Sequence, residues 1–109
     1  GKPPIIFGDG SQTRDFIHVL DVARANVKAV CSKVKHGIFN IASGREVSIK
    51  ELAVLISKAS GEKVKPVYTK PRPGDIKRSW ADISKAEKIL GFKPEIRLED
   101  GLYAMLRSL

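Results

Sequence analysis

Cysteine, tryptophan and methionine each occur once in these 109 residues, and aromatic side chains make up only 6% of them. A single cysteine, Cys31, excludes an internal disulfide framework and fits a reducing, cytoplasmic setting. It falls on the apolar side of a predicted helix, where a buried, inert thiol is expected rather than a nucleophile. The two histidines, His18 and His36, lie far apart, and no Cys/His pair has the spacing of a metal finger. Aromatic residues do not alternate with basic ones, so no base-stacking platform is visible. No apolar run approaches the roughly 20 residues of a membrane-spanning helix. The opening Gly1, Lys2, Pro3, Pro4 carries no signal-peptide pattern and no initiator methionine, and a piece of a longer protein is expected.

What is present is ordinary for one modest globular domain: 42% hydrophobic and 29% charged residues. The net charge of +8 asks for an anionic partner, either nucleic acid or a phosphorylated small molecule. The lysines form no block. Lys28, Lys50, Lys58, Lys85 and Lys88 fall on outward faces of predicted helices, the pattern of a solvated surface.

Strand and helix patterns alternate along the chain, which favours an α/β architecture. Residues 5–7 and 16–20 read as strands separated by a glycine turn. Asp21 can cap a helix with Ala23, Val27, Val30 and Val34 on its inner face, ending by Gly37. Residues 38–41 form the next strand candidate. Ser48 and Glu51 make a capping box for a helix carrying Ile49, Leu52, Ala53, Ile56 and Ala59, with Gly61 as its terminator. Residues 64–69 read as an edge strand because Pro66 interrupts them. Asp82 or Ser84 can cap a short helix with Ile83, Ala86, Ile89 and Leu90 inside, closed by Gly91. A last helix carries Leu98, Leu102, Met105, Leu106 and Leu109.

One tract exceeds the needs of a turn and a strand: "GDGSQTRDFIHVLDV", residues 8–22, sets Gln12, Thr13, Arg14 and Asp15 in a row. Arg14 is either a surface partner of Asp15, worth little, or a planar fork for a phosphate. Downstream, "RPGD" fixes Arg72 and Asp75 on a proline-rich turn, again either a solvated charge pair or a ligand-facing loop.

Taken in order with "GIFNIASG", "VSIKELA", "ADISKAEKILGFKP" and "LEDGL", these pieces resemble the C-terminal region of the NAD-dependent epimerase/dehydratase family, the extended short-chain dehydrogenases. The resemblance covers nearly the whole chain and implies a small α/β substrate-binding domain over residues 1–109, short strands with about four helices, without the Rossmann half. It assigns Arg14 and Arg72 to the diphosphate of a nucleotide sugar and Asp75 to its ribose hydroxyls, a task suited to an ionised, acceptor-only carboxylate. Gln12 becomes a further polar contact. Ile6 and Phe7 resemble the segment beside the base, although both also suit the core of a strand. His18, Asn40 and Trp80 read as structural.

No glycine-rich dinucleotide turn is present. Nor is the family's Tyr-x-x-x-Lys: Tyr68 is followed at that spacing by Arg72, and Tyr103 by Arg107. The resemblance therefore places NAD and the catalytic pair in an N-terminal Rossmann domain, makes a UDP-sugar the expected ligand, and leaves a homodimer open for the full-length enzyme. Fragment alone, the chain is expected to be inactive. The rival reading is a small basic nucleic-acid-binding module, supported by the charge and opposed by the scattered lysines.

Overall fold

The computed structural model describes residues 2–63 and 65–108. Eight short elements follow one another: β1 (Ile5–Phe7), β2 (Thr13–Arg14), α1 (Val19–Cys31), β3 (Val47–Ser48), α2 (Ile49–Ser60), β4 (Val67–Thr69), α3 (Ser84–Leu90) and α4 (Leu98–Arg107). The strands pair two by two. β1 runs parallel to β4, with Ile5 opposite Val67 and Phe7 opposite Thr69. β2 runs antiparallel to β3, with Thr13 opposite Ser48 and Arg14 opposite Val47. This is the expected small α/β fold with four helices. Val64 and Leu109, the ends of two predicted elements, lie outside the described residues, as does Gly1.

The helices start and stop for local reasons. The Ser48 hydroxyl accepts from the Glu51 amide at 3.0 Å and opens α2, which ends at Gly61 as the pattern implies. α1 departs from expectation. No strand forms over residues 16–20, because no neighbouring strand is there to take its amides. Instead His18 is the cap, its Nδ1 accepting from the Leu20 amide at 3.1 Å, and the helix ends at Cys31, well before Gly37.

Asp21, expected as that cap, is fully buried inside the first turn. Its carboxylate accepts from the amides of Glu95 and Ile96 at 3.0 and 3.1 Å and from Arg24 Nη1 at 2.9 Å. Burial alone pushes this carboxyl up; the three donors more than offset it and hold the group below the usual carboxylate range. Asp21 thereby ties α1 to the segment that leads into α4.

The core gathers Ala25, Ala42, Ile83, Ala86 and Phe92, with Ile17, Phe39, Ile41, Ala81 and Leu90 against it. Gly91 takes a left-handed backbone (φ 68°), so the Phe92 amide can return to the Ala86 carbonyl at 3.2 Å while its ring enters the core.

Four expectations are overturned on the other side of α1. Its predicted inner stripe faces outward: Ala23 is exposed, and Val27 and Val30 are 61% and 85% exposed. Cys31 is exposed rather than buried. Residues 38–41 form no strand, and Ile38 is 85% exposed. Ile89 also faces solvent. The reason is shape. The molecule measures 49 × 34 × 16 Å, with a radius of gyration of 16.4 Å, against about 13 Å for a compact chain of this length. Its accessible surface is 8249 Å², whereas a compact monomer of this mass exposes about 6,000 Å². A slab that thin covers α1 on one side only.

Candidate functional site

The β1–β4 ladder continues one step past Phe7, where the Gly8 amide donates to the Thr69 carbonyl at 3.0 Å. Gly8 then turns the chain with φ 88°, a conformation that disfavours any side chain. Beyond Thr69, residues 70–78 run out as an exposed loop, turned at Gly74 with the Asp75 amide bonded to the Arg72 carbonyl at 3.2 Å.

Two successive residues clamp this loop, and a third holds the chain that follows it. The Thr13 amide donates to the Lys77 carbonyl at 2.7 Å, and its hydroxyl accepts from the Ser79 amide at 3.3 Å. Arg14 Nη1 donates to the carbonyls of Thr13 and Ile76 at 2.6 and 2.7 Å, while Nη2 meets Asp75 Oδ1 at 2.7 Å. Asp15 takes the next stretch: its carboxylate accepts from the Ser43 amide (2.8 Å) and hydroxyl, the Gly44 amide (2.9 Å) and the Ala81 amide (3.4 Å). At the far end, Arg78 grips both oxygens of Glu46, which holds the Glu46 carboxyl below and the guanidinium above their usual ranges.

Between the tract and the loop lies a cleft of about 690 Å³, within the range that holds small ligands. Phe7 from β1 and Gly8, Asp9, Ser11 and Gln12 from the tract line it together with Tyr68, Thr69, Pro71, Arg72, Asp75, Ile76 and Lys77 from β4 and the loop. Four of the six candidate residues, Phe7, Gln12, Arg72 and Asp75, thus meet in one place. Ile6 does not line the cleft: it is buried at 3% exposure, as a strand-core residue. Arg14 stands beside the cleft and holds Asp75, so the surface pairing with Asp15 is not formed. Gln12 Nε2 donates to the Phe7 carbonyl at 2.8 Å, and the Arg72 guanidinium lies over the Phe7 ring, 4.5 Å from its centroid.

Charge in the cleft is mixed. Asp9 is kept below the usual carboxylate range by the Ser11 hydroxyl at 2.6 Å and amide at 2.9 Å, so it remains an anion in a lining that also holds Arg72 and Lys77. Arg14 spends three of its five N–H groups on Thr13, Ile76 and Asp75, which leaves two unclaimed among the described residues. The pattern of the sequence did not single out Asp15, Tyr68 or Lys77. For Asp15 a signal existed, a carboxylate beside Arg14 and a Ser-Gly turn downstream for it to cap, but their pairing spans 28 residues. Among the described residues, no three His, Cys, Asp or Glu side chains stand together to hold a metal ion, and no helix is long and apolar enough to cross a membrane.

The sequence matches the family profile described as GDP-mannose 4,6 dehydratase over residues 1–105. A Methanocaldococcus jannaschii relative, provisionally assigned as a UDP-glucose 4-epimerase, is 50% identical over 101 residues, covering 93% of this chain and 32% of its own. The crystal structure of UDP-glucose 4-epimerase from Thermotoga maritima with UDP-glucose superposes with a TM-score of 0.90 at 38% identity, over 97% of this chain and 34% of that one. UDP-glucuronic acid 4-epimerase from Bacillus cereus, in complex with UDP-glucuronic acid and NAD, gives 0.87 at 38% identity over 98% of this chain and 36% of that one. The chain spans about a third of the length of the curated relatives it matches. Profile, relatives and fold agree: the chain belongs to the GDP-mannose 4,6 dehydratase family, within the NAD-dependent epimerases and dehydratases, and corresponds to their C-terminal region.

Proposed function

We propose that residues 1–109 are the substrate-binding part of a longer nucleotide-sugar 4-epimerase, and that the cleft beside the 70–78 loop takes the UDP portion of a UDP-sugar. The observation that carries this reading is the convergence of Arg72, Asp75, Gln12 and Phe7 on one cleft of about 690 Å³, with Arg14 adjoining. Arg72 and the two unclaimed N–H groups of Arg14 serve the diphosphate through charge-assisted bonds. Asp75 accepts from ribose hydroxyls, Gln12 adds a polar contact, and the strand end at Phe7 lies beside the base. These residues bind and orient; they hold the diphosphate so that the sugar reaches the reacting centre. NAD, bound by an N-terminal Rossmann domain of the full-length chain, supplies the redox chemistry of hydride exchange with the sugar.

The same reading accounts for the uncovered face of α1. The chain exposes about 2,200 Å² more than a compact monomer of its mass, on the order of one side of an obligate interface. Val27, Val30 and Ile38 sit on that excess surface, and the N-terminal domain is its proposed cover.

Calorimetric titration of the full-length protein with UDP and UDP-glucose, alongside an epimerisation assay, tests the reading. Binding and turnover by the full-length protein, with no turnover by the 109 residues alone, are expected. A folded full-length protein that ignores UDP but binds DNA or RNA with steep salt dependence would return the chain to the basic-module reading.

A further inference from the structure

The parallel register sets Phe7 opposite Thr69, three residues ahead of Arg72, and this juxtaposition brings an aromatic ring beneath a guanidinium. The loop that carries Arg72 is solvent-exposed throughout residues 70–80. Among the described residues, no carboxylate or carbonyl accepts from the Arg72 side chain, and the ring at 4.5 Å is its one recorded partner. A long side chain on an exposed loop samples many rotamers, and ordering it on ligand binding costs affinity. The ring selects one of those rotamers in advance.

Geometry decides what that rotamer is good for. A guanidinium stacked on a ring uses its flat face for the cation–π contact and keeps its in-plane N–H edge free, and that edge makes paired bonds to phosphate oxygens. The platform is itself fixed: Gln12 Nε2 holds the Phe7 carbonyl at 2.8 Å, and Gly8 continues the ladder to Thr69. A nucleobase that stacked on the same ring face would have to displace the cation.

We propose that Phe7 is a positioning residue for Arg72, presenting the guanidinium edge to the diphosphate, rather than a stacking surface for the base. This rests on the nucleotide-sugar reading above and assigns a different task to the ring within it.

The test is binding to the full-length protein of three probes, inorganic pyrophosphate, UDP and uridine, with folding checked by thermal melts. Phe7→Leu removes the ring's electrostatics and keeps apolar bulk; Phe7→Ile is a second ring-free variant suited to a strand, and Phe7→Tyr keeps the ring. Both ring-free variants should weaken pyrophosphate and UDP about two- to fivefold. Uridine should be unaffected, and Phe7→Tyr should match the parent protein for all three. In an Arg72→Ala background, Phe7→Leu should have no further effect on pyrophosphate. Loss of uridine affinity with pyrophosphate unchanged would make the ring a base platform and overturn the proposal. So would unchanged pyrophosphate affinity in Phe7→Leu while Arg72→Ala lowers it. Arg72→Ala with full pyrophosphate affinity would instead remove the loop's role in binding the diphosphate altogether, and the proposal with it.

Discussion

Replacing Arg14 by alanine removes three hydrogen bonds and a proposed ligand contact at once. Arg14 and Asp75 have side chains 30% and 28% exposed, so their 2.7 Å ion pair is screened by solvent and is worth no more than about 1 kcal/mol. The bonds to the Thr13 and Ile76 carbonyls, at 2.6 and 2.7 Å, add about 1 kcal/mol each. Only the Ile76 bond and the Asp75 pair reach the 70–78 loop, so its loosening by about 1–2 kcal/mol is expected. A charge-assisted bond to phosphate contributes a further ~1.5–3 kcal/mol, and at about 1.4 kcal/mol per decade UDP affinity should fall roughly 10- to 100-fold. Arg14→Lys should recover only part of this, because one ammonium cannot reach two carbonyls, a carboxylate and a phosphate together. Asp75→Ala should weaken UDP more than inorganic pyrophosphate. Since Arg14 and Asp75 touch, the double mutant should depart from additivity by more than about 0.5 kcal/mol. Isothermal titration of UDP into the full-length variants, paired with thermal melts, reads all of these. Parental UDP affinity in a folded Arg14→Ala, Arg72→Ala double variant would refute the reasoning and leave both arginines as surface charges.

Two other perturbations test the frame around the cleft. Asp21→Ala should cost about 1–3 kcal/mol in urea unfolding at neutral pH, because it strands the part-buried amides of Glu95 and Ile96. The folded carboxyl lies below its unfolded value, so its contribution is full above that unfolded value of about 3.9 and fades as pH falls through the lower folded one; a gap between parent and variant that persists undiminished at pH 2 would contradict this. Val27→Glu combined with Val30→Glu should leave the melting of the 109-residue chain nearly unchanged, since both side chains already face water, yet should destabilise the full-length protein. Equal effects in the two contexts would mean that α1 has no cover there.

Patterns that close within a few residues were legible in the sequence. The Ser48–Glu51 cap, the stop at Gly91 and the pairing tendency of residues 5–7 rest on local chemistry and appear where expected. Patterns that depend on a partner were not. The apolar stripe of Val27 and Val30 marks a buried helix face, but burial needs a second surface, which these residues do not supply. Residues 38–41 have strand composition and no strand to bond. The candidate site divides the same way. The expectation that Arg72, Asp75, Gln12 and Phe7 share one site came from the family resemblance alone and from no pattern in the residues themselves, whereas the Arg14–Asp75 contact joins residues 61 apart and Asp15 reaches Ser43, Gly44 and Ala81. Neither distance leaves a trace in local composition.

The clamp of Thr13 and Arg14 on the 70–78 loop also sets a timetable. On a ribosome adding about 5–20 residues per second, the tract emerges roughly 3–12 s before the loop that completes it. Through that interval the β1 edge and Arg14 have no partners from the loop, although α2 can form on its own cap. Closing a loop of about 60 residues costs on the order of 3–4 kcal/mol of chain entropy. The β1–β4 ladder meets that cost once, after which the Thr13, Arg14 and Phe7 contacts add with little further loss. The cleft is thus a product of the finished strand pairing, and a nascent chain that ends before Val67 has only the tract's share of its lining.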